Sequence, residues 1–187
     1  SLPLEVSIQE WLSDIPDTEL PLISRMVSAL LPCVDRWKVA VVCVHLYESV
    51  EALWPLLRCD PASYSQLQVL NLKVTSYTSA LTTDGQSYCV GELPILHAPA
   101  LRKVVLYGWQ STWPVPPSWS QLRELELVAT VNQAIIAELM VACPNLSKLT
   151  ANIYNTERTL DLTSSIIHHS LTSLIITNAQ SPTTSQL

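Results

Sequence analysis

The hexapeptide Leu122-Arg123-Glu124-Leu125-Glu126-Leu127 combines one apolar residue, two variable residues and a pair of leucines that alternate with charged residues. Such alternation is typical of a short β-strand with one buried face, because successive side chains of a strand point to opposite sides. The hexapeptide therefore predicts a strand in which Leu125 and Leu127 face a core. Glu124 and Glu126 are expected on the opposite, solvent-facing side.

The same phrase recurs along the whole chain, which contains 30 leucines among 187 residues. It is found at 34–39, 67–72, 101–106, 122–127, 146–151 and 171–176, with a related segment at 4–8. The first residues of the alternating pairs are 4, 37, 70, 104, 125, 149 and 174, which are 21 to 34 residues apart. A leucine-rich chain produces isolated matches by chance, but six matches in order favour a true repeat. Because one short strand cannot bury its face alone, neighbouring repeats must stack.

The segments between the phrases alternate between helical and irregular patterns. Apolar residues at helical spacing predict helices over 19–31, 47–57 and 130–140, and a weaker one over 163–169. Residues 75–91 are polar and indicate a loop or an insertion. Residues 111–120 contain three prolines, which exclude a helix interior. We expect this segment to be extended, with Trp113 and Trp119 sealing the convex edge. A proline-rich ligand for another domain is the alternative.

Composition excludes several classes of function. The formal net charge is −6, and no basic stripe is present for nucleic acid. The three glycines, at 85, 91 and 108, are too far apart for a phosphate-binding loop. The longest apolar run, residues 39–44, is far shorter than the roughly 20 residues of a membrane span. Residues 1–5 lack the pattern of a signal peptide.

The five cysteines show no CxxC spacing, so neither a zinc site nor a disulfide framework is expected. Cys43 and His45 would share one face of a strand, where core filling is favoured over metal binding. This use of cysteine suits a reducing compartment, and we expect an intracellular protein of the cytoplasm or nucleus. No metal, cofactor or catalytic constellation is predicted, and an enzyme remains the least favoured alternative.

The repeat predicts an α/β fold in the form of a leucine-rich-repeat solenoid, since the last three steps match the repeat length of about 20–29 residues. About seven short strands would form a parallel concave sheet, with helices and irregular segments on the convex side. The array would cover 1–178, and 179–187 would form a polar tail. The predicted strands lie near 4–8, 37–44, 69–73, 103–107, 124–128, 149–153 and 174–177.

Three phrases strengthen this interpretation. The sequence HAPALRKVVL at 97–106, WSQLRELEL at 119–127 and CPNLSKL at 143–149 resemble phrases of the leucine-rich-repeat region of F-box-associated proteins of mushroom-type fungi. Residues 2–8 and 36–39 follow the usual order of that family, so the resemblance spans about 2–178. It implies a substrate-recognition arm of an SCF-type ubiquitin ligase, which binds a protein or peptide target.

In that family an F-box module precedes the repeats and binds a Skp-type adaptor. This sequence shows no F-box, so adaptor binding is expected only if an F-box lies upstream of Leu2. The alternative is a ligand-sensing or scaffolding repeat domain with no link to ubiquitin. A nucleotide-binding module upstream would favour that second interpretation.

The variable positions beside the buried residues of each phrase are expected on the concave face, where a partner could bind. They would change from basic through acidic to neutral along the sheet, which could orient a target. The alternative is a solvated sheet face, on which the charges only compensate each other across strands, as Lys103 and Glu124 would. Tyr107 and Trp109 are the expected anchors, because aromatic residues contribute strongly to interfaces. The candidate residues are Arg36, Lys38, Asn71, Lys73, Lys103, Val105, Tyr107, Trp109, Glu124, Glu126, Lys148, Thr150 and Asn152.

Overall fold

The fold is described from a computed structural model, which covers residues 2–9, 20–44, 53–74, 93–107, 115–131, 133–153 and 169–178. Its main element is one parallel sheet of seven strands. The strands are β1 (Leu4–Gln9), β2 (Trp37–Val44), β3 (Val69–Val74), β4 (Lys103–Tyr107), β5 (Glu124–Val131), β6 (Lys148–Ile153) and β7 (Ser173–Asn178). The predicted α/β fold with a parallel sheet of seven strands is therefore confirmed.

The strands follow each other across the sheet in the order of the chain, so each pairs only with its neighbours in sequence. Their register is continuous from Ala40 through Leu70, Val104 and Leu125 to Leu149, and these residues are all buried. A second row of residues, two positions further on, runs from Val42 to Ala151 and is equally buried. The alternating pattern thus places one face of the sheet against a continuous apolar core.

A regular ladder of backbone hydrogen bonds precedes the strands, and we call it the carbonyl ladder. The carbonyl oxygen of Gln68 accepts the N–H groups of both Arg102 and Lys103, at 2.8 and 3.0 Å. The Arg102 carbonyl accepts from Arg123 and the next residue in the same way, and the pattern continues through the carbonyls of Arg123 and Ser147. β4, β5, β6 and β7 are therefore each tied to the preceding part of the chain at the residues where their own sheet pairing begins.

Short 3-10 helices precede β2, β3, β4 and β5, and each has a proline in its first two positions. Proline suits these positions because its fixed φ matches a helix start and its missing N–H has no intrahelical partner there. The 3-10 helices are Leu31–Arg36, Pro61–Tyr64, Pro94–His97 and Pro117–Gln121. Four of the thirteen prolines therefore mark the approach to a strand.

Two α-helices have defined bounds, α1 (Leu20–Leu30) and α2 (Gln133–Ala142). α1 lies within the predicted helix at 19–31, where Val27 is buried and Leu22 is exposed. α2 begins later than expected, because β5 continues to Val131. Of the helix predicted at 47–57, residues 53–57 are described and helical, while most of the helix predicted at 163–169 lies outside the described residues.

The tryptophan-containing segment at 111–120 differs from the prediction. Pro117–Gln121 is a 3-10 helix, and Trp119 is fully buried in the core instead of sealing an edge. Its indole N–H donates a hydrogen bond to the carbonyl oxygen of Leu96 at 3.0 Å. The buried hydrogen bond explains how a polar indole group can lie in an apolar core. Trp113 lies outside the described residues.

The loop before β3 is organised around the buried hydroxyl of Tyr64. This hydroxyl donates a hydrogen bond to the carbonyl oxygen of Leu56, and it accepts one from the backbone N–H of Cys59 at 3.2 Å. Burial raises the pKa of Tyr64 well above its usual range, because the phenolate would lose its hydration. The phenol therefore remains a neutral structural group.

The outermost strand, β7, is packed less completely than the others. Leu174 and Ile176 occupy the two core-facing rows, yet they are 49% and 47% exposed. Their counterparts on β6, Leu149 and Ala151, have no measurable exposure. The core therefore thins out at this edge within the described part of the chain. No helix in the described ranges has the length and apolar character needed to cross a bilayer.

Candidate functional site

The face of the sheet opposite the core carries the residues that sequence reasoning selected, and we call it the open face. Three cross-strand rows can be followed on it through the register. The first row starts at Val39, the second at Val41 and the third at Cys43. The predicted residues on this face are Asn71, Lys73, Lys103, Val105, Tyr107, Glu124, Glu126, Lys148 and Thr150.

These nine residues come from four consecutive strands, β3 to β6, so the sheet brings them onto one continuous surface. Neighbouring strands lie about 4.8 Å apart, which places side chains of one row in contact range. Val105 is only 8% exposed, although it lies on the open face. It therefore offers little area to a partner, whereas its neighbours Asn71 and Glu126 remain partly accessible.

The placement of Arg36 and Lys38 on this face was wrong. Arg36 ends a 3-10 helix, and its Nε donates a hydrogen bond to the carbonyl oxygen of Leu2 at 3.0 Å. Lys38 lies on β2 just before Val39, where the pairing with β3 begins, and its carbonyl oxygen accepts the N–H of Gln68 at 2.9 Å, so it belongs to the edge of the sheet and not to the open face. The physical reason is register, since β2 aligns Ala40, not Trp37, with Leu70.

Two further candidates cannot be placed on the open face. Trp109 lies outside the described residues. Asn152 belongs to β6, where its Cα is paired with that of Thr177, but its side chain is outside the described part.

The register of β2 changes the character of the open face. At the positions expected to be basic, the sheet presents Val39, Val41 and Cys43, which join Val69 of β3 in one half-buried apolar area. We call these four residues the valine patch. Sequence reasoning missed it, although the run of apolar residues from 39 to 44 indicated a strand with apolar residues on both faces.

Charged residues follow the valine patch along the sheet. Lys73 lies over the ring of Tyr107, with 5.5 Å from its Nζ to the ring centroid. Lys103 forms an ion pair with Glu124, at 2.9 Å between Nζ and Oε2. This pair matches the predicted cross-strand neighbours, whereas no ion pair joins the described side chains of Glu126 and Lys148. Glu126 and Lys148 therefore keep charges that an incoming partner could meet.

We expect the Lys103–Glu124 pair to contribute little to stability. Both side chains are more than 40% exposed, at 42% and 43%, so water screens their attraction. The change Lys103→Met should lower the free energy of unfolding by less than about 1 kcal/mol. Urea unfolding of Lys103→Met, Glu124→Gln and the double variant measures the coupling. A coupling energy above about 2 kcal/mol would show that the pair is structural and not available to a partner.

The open face between β4 and β6 is shallow. The depression lined by Lys103, Glu124, Glu126, Lys148 and Thr150 has a volume of about 10 Å³. Sites for small molecules usually enclose about 300–1,000 Å³, so this part of the face does not fit a buried cofactor. A broad polar surface of this kind is suited to a macromolecular partner.

The described residues provide no group of three or more His, Cys, Asp or Glu side chains that could hold a metal. Among the described cysteines, Cys33 and Cys59 are free thiols. Burial raises the pKa of the Cys143 thiol to about 12, which keeps it protonated and unreactive at neutral pH. Cys43 lies in the valine patch, while His45 is outside the described residues.

The chain was compared with family models, with curated proteins and with solved structures, and none of them matches it.

Proposed function

We propose that this chain is a non-catalytic protein-binding module of the leucine-rich-repeat class. The observation that carries the proposal is the parallel sheet in chain order. Its open face carries the valine patch beside the charged residues of β3 to β6. Stacked repeats provide extended surfaces for partners, and the recurring phrase supplies the repeat. The free thiols of Cys33 and Cys59 support an intracellular setting.

The valine patch and the charged rows suggest how a partner is oriented. A partner that places apolar side chains over Val41 and its neighbours would gain burial energy. Its charged groups would then meet Lys73 on one side and Glu126 on the other. Tyr107 lies on β4, between the strands that carry Lys73 and Glu126. A tyrosine in such a position commonly contributes much of the binding energy. We therefore propose Tyr107 as the central anchor.

The role in an SCF-type ubiquitin ligase is a further part of the proposal, and it is supported by the three phrases alone. Its test is copurification of the product of the complete reading frame with a Skp-type adaptor. Copurification supports the ligase role. Absence of copurification, when a known F-box protein is retained under the same conditions, overturns it and leaves a scaffolding or ligand-sensing repeat domain.

We expect site-specific photo-crosslinking to detect a partner on the open face. A photoreactive benzoylphenylalanine at position 107 should give a discrete protein adduct in cells that express the chain naturally. The same group at Glu138, an exposed position of α2, serves as the control and should give none. The change Tyr107→Ser should weaken binding of the identified partner about tenfold or more.

The binding proposal fails if both positions give the same adducts, or if position 107 gives no adduct while the protein is folded. It also fails if Tyr107→Ser binds the partner as tightly as the unmodified chain. Circular dichroism of each variant verifies that the sheet is intact.

A further inference from the structure

A polar pocket lies outside the open face, along the residues that precede the strands. It has a volume of about 470 Å³, and its described lining residues are Arg102, Gln121, Arg123, Asn145 and Ser147. We call it the rim pocket. Its size is within the range of sites that hold small molecules or single side-chain groups. The pocket is therefore distinct from the shallow open face in both position and shape.

The charge of the rim pocket is opposite to that of the protein. The chain has a formal net charge of −6, yet the described lining contains two arginines and no carboxylate. The nearest acidic residue in sequence, Glu124, is paired with Lys103. Neither guanidinium forms an ion pair with any described carboxylate. Two permanent positive charges are thus held in one pocket without neutralisation by described side chains.

The carbonyl ladder fixes the backbone around the pocket. The Arg102 carbonyl accepts the N–H groups of Arg123 and Glu124, and the Arg123 carbonyl accepts those of Ser147 and Lys148, at 2.8–3.0 Å. The two arginines therefore start from adjacent repeats with a fixed spacing. A site whose backbone is already ordered loses less entropy when a ligand binds.

The other lining side chains are held in place by hydrogen bonds to neighbouring repeats. The side-chain amide of Asn145 donates a hydrogen bond to the carbonyl oxygen of Ser120 at 2.8 Å. The hydroxyl of Ser147 donates one to the carbonyl oxygen of Arg123 at 2.9 Å. The amide of Gln121 donates to Ala98 in the same manner, at 3.4 Å. Each amide nitrogen retains a second N–H, so the pocket offers additional donors beside the guanidinium groups.

These donors favour one type of ligand. A guanidinium group presents its N–H groups in a planar fork that matches the oxygens of a carboxylate or a phosphate. A carboxylate carries one negative charge and would balance only one arginine. A phosphate monoester carries about −1.5 to −2 charges at neutral pH and three acceptor oxygens. Two arginines with additional amide donors therefore match a phosphate group better than a carboxylate.

We propose that the rim pocket binds a phosphate group, with Arg102 and Arg123 as its charged ligands and the amides of Gln121 and Asn145 as neutral donors. The group could belong to free phosphate or to a phosphorylated side chain, since both present the same oxygens. This site does not depend on the proposed function of the open face, and each can fail without the other.

The test is a titration of the ¹⁵N-labelled chain, observed by NMR at constant ionic strength. Inorganic phosphate should give saturable shifts confined to the amides of the lining residues and their neighbours. Arg102→Gln and Arg123→Gln should each weaken this binding about tenfold. The matched control is Arg25→Gln, which removes the same charge from an exposed position of α1 and should leave binding unchanged.

Two further probes identify the source of the phosphate group, and acetate tests the selectivity for phosphate over a carboxylate. O-phosphoserine and a phosphoserine peptide should shift the same amides, and tighter binding of the peptide would assign the site to a phosphorylated protein segment. Tighter binding of inorganic phosphate would assign it to the free anion. The proposal is overturned if acetate binds as tightly as phosphate, if no saturable shift occurs, or if Arg25→Gln weakens binding as much as Arg123→Gln. The dispersion of each spectrum verifies that the variant is folded.

Discussion

Replacing Leu125 with alanine is expected to lower the free energy of unfolding by about 2–5 kcal/mol. Leu125 is 1% exposed and lies on β5, with Val104 and Leu149 as its partners on the two neighbouring strands. Removal of its side chain would leave a cavity that this close packing cannot fill. The loss would include both the transfer energy of the removed groups and the cavity term.

The matched control for this change is Leu174→Ala. Leu174 occupies the same row of the sheet on β7, but it is 49% exposed, so its removal should cost about 1 kcal/mol or less. Urea unfolding, followed by circular dichroism, gives both values. Equal losses at the two positions would show that the row through Leu125 is not buried as described. Such a result would contradict the register of the whole sheet.

Replacing Trp119 with alanine should have a similar or larger effect, of about 3–5 kcal/mol. Trp119 is fully buried, and it is among the largest buried side chains in the described part. Its truncation removes a large apolar surface and also the hydrogen bond to the carbonyl oxygen of Leu96. Thermal or urea unfolding measures the loss. A variant that unfolds like the unmodified chain would place the indole outside the core.

A pair of phenylalanine variants separates packing from hydrogen bonding. Trp119→Phe removes the indole donor to Leu96 and should cost about 1–3 kcal/mol. Trp37 is buried to the same degree, but its indole nitrogen has no hydrogen-bond partner within the structure described. Trp37→Phe removes an unsatisfied donor and should therefore be less destabilising than Trp119→Phe. Equal losses would indicate that ring volume, not the hydrogen bond, accounts for both effects.

The sequence was sufficient to locate the strands because the fold depends on a local pattern. Each strand buries alternate residues in the core and pairs only with its neighbours in chain order. A pattern such as that around Leu125 therefore identifies both the strand and its buried face. The predicted strand ranges differ from the observed ones by no more than three residues, the largest difference being at the end of β5. No pairing between strands that are not neighbours along the chain had to be inferred.

The register of β2 could not be obtained in the same way. Two overlapping phrases fit the sequence there, one starting at Val34 and one starting at Trp37. Both place an apolar residue at each core position, so alternation alone cannot choose between them. The pairing of Ala40 with Leu70 decides for the second phrase, and this moves Arg36 and Lys38 off the open face. Part of the candidate site was thus misplaced by one ambiguous strand.

The rim pocket was missed for a different reason. Its arginines, Arg102 and Arg123, are separated along the chain by an intervening segment that includes the buried Trp119. They come together only because the carbonyl ladder aligns the positions that precede β4 and β5. The alternation pattern describes the two faces of a strand and carries no information about the edge. The signal that could have paired them is the repeated phrase itself, in which Arg102 and Arg123 each follow the first leucine.

The chain-ordered sheet also has a mechanical consequence. β1 and β7 form opposite edges of the sheet, about 29 Å apart along the hydrogen-bonding direction at about 4.8 Å per strand. Tension applied through these two strands would act along the hydrogen bonds, and every pair of neighbouring strands would carry the same force. The weakest pair would separate first, so the sheet would yield in steps that begin where the thinly packed β7 meets β6.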